Sequence, residues 1–111
     1  MTFAAFGQNG NHFTMRIDGH AEYGPHGSDI VCAAASALAY TMVRWMEDHS
    51  DYIRAADIYE YMNGYVSLNF DTRPDRAADV RIAMGVIEGG FRLLADRYPE
   101  HVAVREGAGG L

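Results

Sequence analysis

The chain has no lysine. All nine basic residues are arginine, scattered singly from Arg16 to Arg105, against fifteen acidic residues and a formal net charge of −6. Without a basic run or stripe nothing is laid out to follow a phosphate backbone, so direct nucleic-acid binding is not expected. Cysteine is nearly absent too: with Cys32 alone an internal disulfide is impossible, nothing points to an oxidising compartment, and the thiol is either packed or reactive. Long hydrophobic runs are also lacking. The uncharged stretch from Ile30 to Val43 is too short at helical rise to cross a bilayer core of about 30 Å, and reads as a buried helix. Met1 to Gly10 carries neither a positive cluster nor a long apolar run. No signal peptide and no membrane partner are therefore expected, and the chain reads as cytoplasmic.

What is present is ordinary globular usage, 49% hydrophobic and 22% charged residues over 111 positions, which leaves room for one domain. That domain is expected over 1–106, with 107–111 a flexible Gly-rich tail.

A short apolar run at Thr2 to Phe6 precedes Gly7 to Asn11, after which Phe13, Met15 and Ile17 alternate with Thr14, Arg16 and Asp18. Period-2 alternation marks a half-buried strand, so the two runs should pair as a hairpin. A glycine-containing loop, Gly19 to Gly27, leads to Ser28 and Asp29 as candidate helix caps. The helix that follows, to about Asp48, carries a stripe of Val31, Ala35, Leu38, Met42 and Trp45 that should face the core. Asn63-Gly64 between two alternating runs is a strong hairpin cue. A two-residue turn there pairs Tyr61 with Val66 and Tyr59 with Leu68, and puts all four on one face with Phe70. Thr72 and Asp75, flanking Pro74, resemble a helix start. Val80, Met84, Ile87, Phe91, Leu94 and Tyr98 then repeat at helical spacing until Pro99, and the glycines at 85, 89 and 90 point to close packing or an interface. His101 to Arg105 supplies a last strand. The order is ββαββαβ, an α+β domain with an antiparallel or mixed sheet and two long helices.

Cys32 falls in the first turn of the first helix, where unpaired amides and the positive helix pole favour a thiolate, the nucleophile of acyl transfer. A thiolate needs a base, and His20 follows the second strand at the edge of the loop that leads into that helix. Asp29, Cys32 and Ser36, at i, i+3 and i+7, share one side of the helix. Asp29 has two open roles. It can orient His20 and stabilise its imidazolium, although its charge would oppose the thiolate, or it can cap the helix and accept a bond from Cys32 itself. Ser36 has two readings also, a member of that polar cluster or a small residue that lets a neighbour pack. The widely spaced His20, His26 and Cys32 match no common zinc pattern, and no phosphate-cradling glycine motif occurs, so neither a metal nor a cofactor is expected.

The stretch Gly19-His20-Ala21-Glu22-Tyr23, followed by Gly27-Ser28-Asp29-Ile30-Val31-Cys32-Ala33-Ala34-Ala35-Ser36-Ala37-Leu38, resembles the signature of the ribosomal-processing cysteine protease family, with Ala35 where the family often has valine. The resemblance implies a cysteine endopeptidase that removes a short N-terminal extension from a large-subunit ribosomal protein precursor, or processes a related phage virion protein. It implies Cys32 as nucleophile, His20 as catalytic histidine, Asp29 and Ser36 as supporting polar residues, and a homodimer. The family's mobile loop by the active site corresponds to Tyr23 to Gly27, so Tyr23, Gly24 and Gly27 are the expected substrate-loop residues. Helix N-terminal amides are the expected oxyanion donors. A different class remains open, a non-catalytic dimeric peptide-binding adaptor with Cys32 as core filling. A thiol redox sensor is a third. Alkylation by iodoacetamide separates the first two, because a packed thiol reacts slowly.

Overall fold

The computed structural model describes residues 1–25, 28–61 and 65–106. Strands β1 (Thr2–Asn9) and β2 (His12–Gly19) form the expected hairpin, followed by helix α1 (Ile30–Asp48) and a 3-10 turn (Ser50–Tyr52). Strands β3 (Ile53–Tyr61) and β4 (Tyr65–Thr72), a second 3-10 turn (Pro74–Arg76), helix α2 (Ala77–Arg97) and strand β5 (Val102–Glu106) complete the ββαββαβ order. They build one mixed sheet, β3-β4-β2-β1-β5, antiparallel throughout except for β1 and β5.

Alternation decides which face is covered. Ala4 and Phe6, Phe13, Met15 and Ile17, and Val66, Leu68 and Phe70 are all buried on one face. Both helices pack there: Val31, Ala35, Ala39, Met42 and Met46 of α1, with Val80, Met84, Ile87 and Phe91 of α2, complete the core. The deepest line of α1 thus differs from the expected stripe, because Leu38 and Trp45 sit to its side, half-buried. Leu38 reaches α2 at Gly90, where an added Cβ would come within 2.6 Å of its Cδ2, so the missing side chain there lets the helices approach. Gly85 and Gly89 face open space and take no part in this packing.

Two further expectations need correction. The β3–β4 register places Tyr61 opposite Tyr65 and Tyr59 opposite Ser67, with Ile58 facing Leu68 and Glu60 facing Val66. Three residues, 62–64, separate the paired ends instead of two. A one-residue slip exchanges faces, so Tyr59 is exposed and its ring stands 5.9 Å from that of Tyr65, away from the core. Helix α2 also begins without a side-chain cap, since Arg76 occupies that position and Thr72 bonds the Arg73 carbonyl.

The site's location follows from the register. Thr2 pairs with Gly19 on one side and Val102 on the other, so the chain leaving β2 and the chain entering β5 meet at one end of the sheet, where α1 also starts.

Candidate active site

Gly19 ends β2 in a left-handed conformation (φ 92°), and a Cβ there would collide with the Met1 carbonyl oxygen. Only glycine fits without strain. His20, exposed, comes next, and Ala21 is fully buried. The Ala21 amide donates to the Cys32 Sγ at 3.3 Å. The residue after His20 therefore touches the sulfur through its backbone. Glu22 has a positive φ of 56°, uncommon for a side-chain-bearing residue, and it turns the chain toward Asp29.

Asp29 is the N-cap of α1 and is buried. One carboxylate oxygen accepts from the Val31 amide at 2.9 Å and the Cys32 amide at 3.0 Å, and the other from the Tyr23 and Gly24 amides at 2.8 and 3.1 Å. Burial alone would raise its pKa. Amides led by that of Cys32, then Gly24, Tyr23 and Val31, outweigh burial and hold it at about 2, so the group is a carboxylate at neutral pH. Of its two open roles, capping is realised, and the same group ties the loop to the helix. Of the helix-end amides, those of Val31 and Cys32 are engaged by the Asp29 side chain, and that of Ala33 by the Asp29 carbonyl.

Ser36, one turn beyond Cys32, is exposed and makes no side-chain hydrogen bond to a described residue. The contact on that side of the helix shown by hydrogen bonding is between Asp29 and Cys32. Gly24 lies outside the left-handed range, and a Cβ there would make only ordinary contacts with Ser28 and Asp29. Its contribution is its amide. Tyr23 packs edge-on against Tyr98 and His101, with ring centroids 5.2 and 5.3 Å away. Gly27 and His26 lie outside the described residues. Among the described residues no three His, Cys, Asp or Glu side chains converge as metal ligands.

One neighbour was not legible in advance. His101, just before β5, places Nδ1 2.7 Å from the Ala21 carbonyl oxygen, and because a carbonyl only accepts, that nitrogen carries the proton and donates. Its only signal in sequence was its place at the head of the last strand.

The family model for the cysteine protease Prp matches residues 1–103. The chain belongs to the Prp cysteine protease family. Membership makes it a cysteine-type peptidase of the ribosomal-processing group, and does not favour the non-catalytic adaptor. A ribosomal processing cysteine protease Prp from Mycoplasma genitalium is 29% identical over 89 residues, covering 79% of this chain and 82% of that protein. SMU.848 from Streptococcus mutans is 28% identical with a TM-score of 0.68, over 96% of this chain and 93% of that one. The Prp fold is also that of the Staphylococcus aureus protease solved with a covalently linked product peptide, at TM-score 0.76 and 21% identity, over 96% of this chain and all of that one.

Proposed function

We propose that this Prp-family peptidase removes a short N-terminal extension from a large-subunit ribosomal protein precursor in the cytoplasm, acting as a homodimer with Cys32 as nucleophile and His20 as base. The observation that carries the reading is the hydrogen bond from the Ala21 amide to Cys32 Sγ, which ties the segment beginning at His20 to the sulfur at the head of α1. The Cys32 thiolate adds to the scissile carbonyl, and His20 maintains the thiolate and then protonates the leaving amine. Water hydrolyses the acyl-enzyme. Tyr23 and Gly24, held by their amides to Asp29, form one wall for an extended peptide. Ser36 is the exposed polar group one turn along α1 from Cys32.

Support for a peptide substrate comes from the Staphylococcus aureus relatives, one solved with a substrate peptide and one with a covalently linked product peptide. The ribosomal target is taken from the description of the Mycoplasma genitalium relative. Among the described residues no helix is long and apolar enough to cross a membrane.

The test is cleavage of peptides copied from the N-termini of the host's large-subunit ribosomal proteins, read by mass spectrometry. Wild type should cut one of them at a single bond and Cys32→Ala none, while His20→Ala should lose about 10²-fold or more in kcat. Cleavage by Cys32→Ala would falsify the assignment.

A further inference from the structure

The helix-end amides of Val31, Cys32 and Ala33 are occupied by Asp29, so none of these three is free to meet the developing oxyanion. The Ala21 amide is the one that already points at the sulfur. An oxyanion on the carbon under attack lies about 3 Å from the nucleophile, within reach of a donor aimed at that nucleophile. The next peptide group, joined to that amide through the Ala21 Cα, is gripped as well. His101 Nδ1 donates to its carbonyl oxygen, the His101 amide is bonded to the Tyr98 carbonyl at 2.9 Å, and the His101 carbonyl accepts from the Thr2 amide at 2.8 Å. The imidazole is further held by the Tyr23 ring standing edge-on to it. A half-buried side chain anchored to the sheet through its own backbone thus fixes the orientation of one loop residue.

We infer that the Ala21 N–H is an oxyanion donor and that His101 is the positioning residue that aims it. When the Cys32 thiolate adds, a C–S bond forms and the carbonyl π pair moves to oxygen. The Ala21 proton stays on nitrogen and exchanges sulfur for that oxygen as its acceptor. On collapse the pair returns, the C–N bond breaks, and the departing nitrogen takes the proton from His20. His101 transfers no proton in this sequence. Its neutral Nδ1–H tautomer and its cation both donate to Ala21, and the acylated enzyme keeps the same grip.

The inference rests on Cys32 as nucleophile, so each assay includes Cys32→Ala. His101→Phe keeps a ring against Tyr23 but removes the donor, whereas His101→Asn puts an amide nitrogen close to the position of Nδ1. Against the cleaved N-terminal ribosomal peptide, His101→Phe should lose about tenfold to a hundredfold in kcat with KM within about twofold, and His101→Asn should recover most of it. Alkylation of Cys32 by iodoacetamide should also slow in His101→Phe and recover in His101→Asn, which tests the amide's aim without a peptide. If Cys32→Ala is inactive but both His101 variants match wild type in kcat and alkylation, the positioning role is wrong and the nucleophile stands. If Cys32→Ala still cleaves, the nucleophile itself is wrong. Should His101→Phe fail to fold, His101→Leu takes its place as the variant without a donor: a loss of kcat that His101→Asn recovers supports donation to Ala21, and equal kcat in the two variants overturns it.

Discussion

Asp29 carries more of the local backbone than any other residue of the site, since its two oxygens hold four amides from two segments. An N-cap residue contributes about 1 kcal/mol, and the added loop bonds raise the expected cost of Asp29→Ala to about 2 kcal/mol or more, a fall of roughly 10 °C in Tm for a domain of this size. The pH dependence has a definite sign. The folded-state pKa is depressed from 3.8 to about 2, so the charged group's contribution is fully present above about pH 4 and is lost as pH falls through 2. Urea unfolding of wild type and Asp29→Asn should differ most at neutral pH and converge near pH 2; a constant gap would show that the charge is not responsible. The cap and the bond from the Cys32 amide were legible because Asp29 stands immediately before a helical pattern. The return of its second oxygen to Tyr23 and Gly24 was not, nor was His101. Both depend on where the sheet puts segments that local pattern leaves unplaced, eighty residues separating His101 from Ala21.

Among the elements, the end of β2 has the least freedom. Gly19 combines a left-handed φ with a backbone carbonyl where its Cβ would lie, and it immediately precedes His20 and the Ala21 amide. Gly19→Ala should destabilise by about 2 kcal/mol or more and also lower kcat, because β2 can relieve the contact only by moving the loop that follows. Gly24→Ala is the matched control. With no left-handed φ and only ordinary contacts, it should unfold within about 1 kcal/mol of wild type by urea titration. Equal costs at the two sites would contradict the account. Helices α1 and α2 were legible from apolar period, and β1–β2 from alternation, because each signal recurs many times along its element. The β3–β4 register hung on a single cue, Asn63-Gly64, and a link one residue longer sent Tyr59 to the open face. A β-bulge between Arg54 and Asp57, with Ala55 at φ 47°, shifts β3 again and was invisible to periodicity.

At the scale of the whole molecule, two helices on one side of a five-stranded sheet leave two broad surfaces: the bare face of the sheet and the outer face of α2. The order ββαββαβ was readable, but the helix-covered face and the parallel placement of β5 beside β1 were not, because they depend on contacts far apart in sequence. The bare sheet face is polar and self-satisfied. Arg105 lies over Phe3 at 3.8 Å, Arg16 over Tyr65 at 5.4 Å, and His12 bonds Asp71 and Asn69, which raise its pKa. The outer face of α2 has no such cover. Ile82 and Val86 are each 69% exposed and Leu93 is 53% exposed, on the side of the helix opposite Val80, Met84, Ile87 and Phe91. Gly85 and Gly89 sit among them with open space above, so a second helix could approach closely. An apolar stripe on each side of one helix is what a dimer through α2 requires, and the proposed homodimer should therefore depend on Val86. In sedimentation velocity at micromolar concentration, wild type should run as a dimer and Val86→Asp as a monomer. Urea unfolding of Val86→Asp should resemble that of wild-type protein diluted to monomer, since an exposed valine holds little of the core. A monomeric wild type, or a Val86→Asp variant that remains dimeric, would move the interface away from α2 to the bare sheet face.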